Sequence, residues 1–137
     1  MDNDVLLAKL ENLRHCLQRI HDKTPATAAE LAKNADLQDI IVLNLERAIQ
    51  NCVDIGLHVI SRSEMPVPDT MAKTFQTLKQ LGCLGEQTAD NLSKAVGFRN
   101  IAVHAYQDID WQIVYDIITV RLEDFKDFAR QIMKDRT

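Results

Sequence analysis

The sequence predicts an all-α protein, an antiparallel bundle of four or five main helices in a single domain over residues 1–137. Apolar residues recur at steps of three and four along nearly the whole chain, which is helical rather than strand spacing. Glycine and proline together number only seven in 137 residues, too few for the many turns of a sandwich or barrel. With 46% hydrophobic and 26% charged residues, the composition is that of a globular chain able to bury one core.

The elements follow in order. Leu6, Leu10, Leu13, Leu17 and Ile20 step by four, three, four and three, which predicts an amphipathic helix over residues 3–22. Pro25 stops it. Ala26 to Asn34 reads as a helical turn leading into a longer helix over 37–62, whose seam is Ile41, Leu45, Ala48, Cys52, Ile55 and Val59. The run from Ser63 to Thr70 holds Pro66 and Pro68 and is a loop, with Asp69 or Thr70 placed to cap the next helix. That helix covers 70–81, with Met71, Phe75 and Leu78 inward, and Gly82 to Gly85 makes the following turn. Residues 86–105 and 110–134 read as two further helices, the last with Trp111, Val114, Ile118, Phe125 and Ile132 inward. A bundle of this size commonly uses a leftover apolar stripe to pair with a second copy, so a homodimer is expected.

Charge and cysteine content narrow the function. A net charge of −4 and a pI near 5.5 argue against gripping nucleic acid over a large surface, while leaving room for a small basic site. Cys16, Cys52 and Cys83 are odd in number, lack metal-knuckle spacing and read as buried, reduced thiols; no metal site or cofactor is expected. Met-Asp-Asn-Asp at the start lacks the plan of a signal peptide and no apolar run is long enough for a membrane, so a cytoplasmic protein is expected.

Four histidines are the natural candidates for chemistry. His15 and His21 lie off or at the end of the first helix, and no Ser or Cys nucleophile accompanies them at a recognisable spacing. His104 stands in Gly97-Phe98-Arg99-Asn100-Ile101-Ala102-Val103-His104-Ala105-Tyr106. On a helical wheel Phe98, Ile101, Ala102 and Ala105 form the expected buried face. Arg99 and His104 flank it about 140° apart, with Asn100 and Val103 on the outward arc between them. This polar strip is suited to holding a phosphate between a guanidinium and an imidazole, the more so if a two-fold mate supplies the opposite wall. A second polar line, Arg47, Asn51, Asp54 and His58, steps along the shoulder of the 37–62 helix. It is either a solvated shoulder or a wall of the cleft, with Asp54 orienting Arg99 or His104.

The Arg99-to-His104 stretch resembles the signature of the HEPN superfamily: Arg, four to six residues, then His, with a polar residue after the Arg, here Asn100. The extension His-x-Tyr, met by His104 and Tyr106, is most similar to the HepT branch, encoded beside a minimal nucleotidyltransferase. Leu45 to Gly56 resembles that branch's second helix, and Pro66-Val67-Pro68-Asp69-Thr70 followed by Phe75 its loop and helix before the motif, so the likeness spans about residues 3–133.

The resemblance implies a HEPN-like bundle acting as the toxin of a toxin–antitoxin pair. Its activity would be that of a metal-independent endoribonuclease, with the Arg/His motifs of a homodimer facing a shared cleft. RNA supplies its own nucleophile, the 2′-hydroxyl. His104 would then carry acid–base work, Arg99 phosphate binding and transition-state charge, and Asn100 orientation. Cleavage would leave a 2′,3′-cyclic phosphate. Tyr106 corresponds to the residue that the partner nucleotidyltransferase AMPylates to silence the toxin. The expected partners are therefore RNA, the cognate nucleotidyltransferase antitoxin and a second copy of the chain, with no membrane. The rival reading is a non-catalytic helical binding or dimerisation module for a nucleotidyltransferase, slightly favoured by the acidic pI.

Overall fold

The computed structural model describes residues 2–136 in backbone and 4–134 in side chains. Seven α-helices follow one another within them: α1 (Asp2–Lys23), α2 (Ala28–Lys33), α3 (Ala35–Ser61), α4 (Met71–Gln80), α5 (Glu86–His104), α6 (Trp111–Val120) and α7 (Leu122–Arg136). A 3₁₀ turn, Tyr106–Asp108, joins α5 to α6. The all-α bundle expected from the seams is the fold observed.

The helix starts are encoded locally. Thr27, Asn34, Thr70 and Asp110 each take an extended backbone at the N-cap and accept a backbone N–H two or three residues on, which satisfies donors that the helix itself cannot. Of the two caps expected after the proline loop, Thr70 is the one used. Asp69 instead pairs with Lys73 at 3.1 Å, and that bond holds its carboxyl below the usual range.

Helix α3 is the central element and packs on α1, α4, α5 and α7, while α2 lies against α6. Cross-helix bonds give the directions. Lys9 reaches Asp54 and Asn51 reaches Cys16, so α1 and α3 run antiparallel. Gln76 bonds Asp90 while Ser93 bonds the carbonyl of Ala72, and Asn91 bonds Asp124 while Gln131 bonds Thr88. Helix α5 is therefore antiparallel to both α4 and α7. Leu13, Ile20, Ile41, Leu45, Ile55, Phe75 and Phe128 fill the core, with the rings of Phe75 and Phe128 edge to face at 6.0 Å. Gly56 lets α4 approach closely: a Cβ there would lie 2.7 Å from Thr74 Cγ2.

Two sequence expectations need correction. The single helix expected over 110–134 is broken at Arg121, whose backbone (φ −102°, ψ 0°) caps α6 and whose carbonyl accepts from Asp124 at 3.0 Å. The break lets α6 face α2 while α7 faces α3 and α5, which one straight rod does not do. Ile101, expected on the buried face of α5, is 47% exposed, because the bundle covers Ala102 but leaves the end of α5 open beside it.

Candidate active site

Arg99, Asn100, His104 and Tyr106 lie at the C-terminal end of α5 and in the turn beyond it. The helix is continuous through His104, so the wheel relation between Arg99 and His104 stands: about 140° apart and about 7.5 Å along the axis. Ala102 is buried and anchors this last turn, while Asn100, Val103 and His104 are exposed. Arg99 is half-buried. Its Nε is enclosed by protein, and among the described residues it is the buried side-chain nitrogen or oxygen with no hydrogen-bond partner. A buried donor of a charged group left unpaired costs about 1–3 kcal/mol or more, so this position calls for an external acceptor.

Beyond His104 the chain turns sharply. Ala105 leaves helical geometry (φ −147°, ψ 51°) while its N–H still reaches the carbonyl of Ile101 at 2.8 Å. Ile109 is buried and pins the far side of the 3₁₀ turn, and Asp110 caps α6. The helix therefore ends before Tyr106. Tyr106, seven residues after Arg99, would share its helical face only on a continuing helix and does not do so here.

Tyr106 is 37% exposed and held at two points. Its ring meets Trp111 edge-on at 6.0 Å, and its hydroxyl donates to Asp39 Oδ1 at 2.6 Å. Burial, the bond to Asp39 and the charges of Asp39 and Glu46 together push the phenol well above its usual range. Asp39 and Glu46 are seven residues apart on α3 and so share one side of it. Sequence reasoning passed over Asp39, because its partner lies 67 residues away and no local spacing links them.

The second polar line lies elsewhere. Lys9 Nζ stands 3.4 Å from Asp54, which also accepts from Gln50 Nε2 at 2.8 Å, and Asn51 faces Cys16 across to α1. Arg47 and Asn51 line an open groove with Asn12 and His15 of α1. Within the chain, Asp54 faces α1. Cys16, Cys52 and Cys83 are buried and form no disulfide, and burial raises the thiols of Cys16 and Cys52. Among the described residues no three of His, Cys, Asp and Glu converge as metal ligands, and no helix is long and apolar enough to cross a membrane.

The profile of the Ribonuclease HepT-like family matches residues 13–132. A curated relative from Shewanella oneidensis, described as an mRNA nuclease HepT, is 33% identical over 126 residues, covering 92% of this chain and 94% of its own. Among solved structures, a toxin–antitoxin complex with AMP-PNP superposes with a TM-score of 0.90 at 31% identity, over 96% of this chain and 98% of that one. A tri-AMPylated HEPN toxin from Shewanella oneidensis, in complex with its MNT antitoxin, gives 0.89 at 32% identity over the same shares. The family match takes in nearly all of the bundle, including the end of α5 where Arg99, His104 and Tyr106 stand, and the chain belongs to the HepT-like ribonucleases.

Proposed function

We propose that the chain is the toxin of a toxin–antitoxin pair, a metal-independent endoribonuclease working as a homodimer whose α5 ends face a common cleft. The observation that carries this reading is the buried, unpartnered Nε of Arg99, about 1.4 helical turns from an exposed imidazole. A guanidinium fork with a free donor suits a phosphate oxygen, and its positive charge suits the extra negative charge of a five-coordinate phosphorus. Ile101 and Val103, each 47% exposed, leave apolar surface beside that strip for a second copy.

In this mechanism the ribose 2′-oxygen attacks the adjacent phosphorus and the 5′-oxygen leaves, which gives a 2′,3′-cyclic phosphate and a 5′-hydroxyl. His104 takes the 2′-proton, and its two-fold mate delivers one to the leaving oxygen. Arg99 binds the phosphate and Asn100, exposed on the outward arc, orients it. The cognate nucleotidyltransferase AMPylates Tyr106, whose phenol sits two residues past His104 with its edge open. The added AMP brings bulk and about one negative charge to the RNA-binding strip and so silences cleavage.

The test is cleavage of RNA by the purified chain and by His104→Ala. The variant is expected to lose about two or more orders of magnitude, the usual cost of losing a general acid or base. Because His104 is exposed, its melting curve should match wild type. A folded His104→Ala protein with full activity would overturn the assignment, and a wild-type chain that leaves RNA intact would favour the non-catalytic binding module.

A further inference from the structure

The hydrogen bond between Tyr106 and Asp39, at 2.6 Å, is short and charge-assisted, and it joins the turn after α5 to the first part of α3. Trp111 steadies the ring from the side, and the hydroxyl directs its proton at the Asp39 carboxylate, which leaves the lone pairs of the phenolic oxygen to meet an electrophile. The phenol holds its proton well above the usual range, so tyrosinate is scarce near neutrality. Any electrophile that reacts with this oxygen therefore meets a neutral phenol. The proton must depart as the new bond forms, and the base positioned to receive it belongs to the same chain.

We propose that Asp39 is the proton acceptor when Tyr106 is nucleotidylated, a catalytic residue that the modified chain brings to its own modification. This rests on the reading of Tyr106 as the modified residue. The phenolic oxygen attacks the α-phosphorus of a nucleoside triphosphate presented by the nucleotidyltransferase. The new O–P bond forms as the bond to the bridging oxygen of the β-phosphate breaks, and pyrophosphate leaves with the electron pair. The phenolic proton passes to the Asp39 carboxylate and from there to water. As the oxygen bonds to phosphorus its basicity collapses, which makes a carboxylate a competent acceptor. Glu46, on the same side of α3 two turns on, acts on the phenol through its charge alone and is not assigned the proton. His104, Asp108 and Asp110 flank Tyr106 in the chain, and none of them is bonded to its hydroxyl.

The experiment measures the initial rate of AMP incorporation at Tyr106 by peptide mass spectrometry. It uses the cognate nucleotidyltransferase, ATP and magnesium, with wild type, Asp39→Asn, Asp39→Glu and Glu46→Gln compared between about pH 6 and pH 9. Asp39→Asn should react about 10²-fold more slowly near neutrality, within the range for loss of a general base. Its deficit should shrink by about tenfold per pH unit as tyrosinate takes over. Asp39→Glu should recover most of the rate, and Glu46→Gln should stay close to wild type. Asp39 is exposed, so the variants should fold, and melting curves verify this. Asp39→Asn reacting at the wild-type rate, or slowed by the same factor at every pH, would overturn the proposal while leaving Tyr106 as the target. A wild-type chain modified elsewhere, or not at all, would overturn the reading of Tyr106 and this proposal with it.

Discussion

Replacing glycine by alanine at two helical positions of this chain should have opposite effects on stability, and the structure supplies both magnitudes. In a helix interior the exchange is favourable by about 0.8–1.0 kcal/mol, because alanine loses less backbone entropy. Gly97 lies exposed in α5, and a methyl group added to its Cα would meet nothing within 4 Å, so Gly97→Ala should realise that gain. At Gly56 the new Cβ would stand 2.7 Å from Thr74 Cγ2 and 2.9 Å from Leu78 Cδ1. Neither neighbour has room to yield. Thr74 is β-branched, 1% exposed and bonded through its hydroxyl to the carbonyl of Thr70, while Leu78 is fully buried. Overpacking of this kind costs about 1–3 kcal/mol, so after the helical gain Gly56→Ala should lose up to about 2 kcal/mol. At about 3–5 °C per kcal/mol for a chain of this size, the melting temperature should rise by a few degrees for Gly97→Ala and fall by as much as about 6–10 °C for Gly56→Ala. Thermal denaturation at matched protein concentration reads both, since association would shift the midpoint. Two shifts of the same sign would refute the close α3–α4 approach.

Other outcomes follow from the same geometry. Arg99→Lys should keep or slightly raise the melting temperature, because it removes the buried unpartnered Nε, yet cut RNA cleavage at least tenfold by losing the planar fork; unchanged activity would contradict the role given to Arg99. Asp124 is 16% exposed, and burial raises its carboxyl above its ordinary value of 3.8 against the pull of Arg121 and Asn91. A folded pKa raised above the unfolded one makes ionisation costly, so wild type should lose stability relative to Asp124→Asn as pH climbs through the range just above 3.8, then level off. A difference that stays constant with pH in denaturant titrations would contradict this.

What the sequence made legible was whatever is written in neighbouring residues. The four-three seams marked α1 and α3, the two prolines marked the loop before α4, and Thr70 announced the start of α4. The break at Arg121 carries no such mark. Neither glycine nor proline is present, and the chain bends there because α6 and α7 answer to different partners. The site divides in the same way. Arg99, Asn100 and His104 sit on one continuous helix, and their spacing alone places them. The exposure of Ile101, the turning of Asp54 toward Lys9 and the pairing of Tyr106 with Asp39 depend on which helices meet, and no local pattern records that.

That His104 and Arg99 cut RNA through its own 2′-hydroxyl is tested most directly by analysing cleavage ends in excess chelator. An RNA is compared with the same sequence carrying 2′-O-methyl groups. The chain should cut only the unmodified RNA, chelator notwithstanding, and leave 2′,3′-cyclic phosphate and 5′-hydroxyl ends that disappear with His104→Ala. Cleavage of the methylated strand, ends bearing a 5′-phosphate, or activity restored only by added magnesium would contradict it.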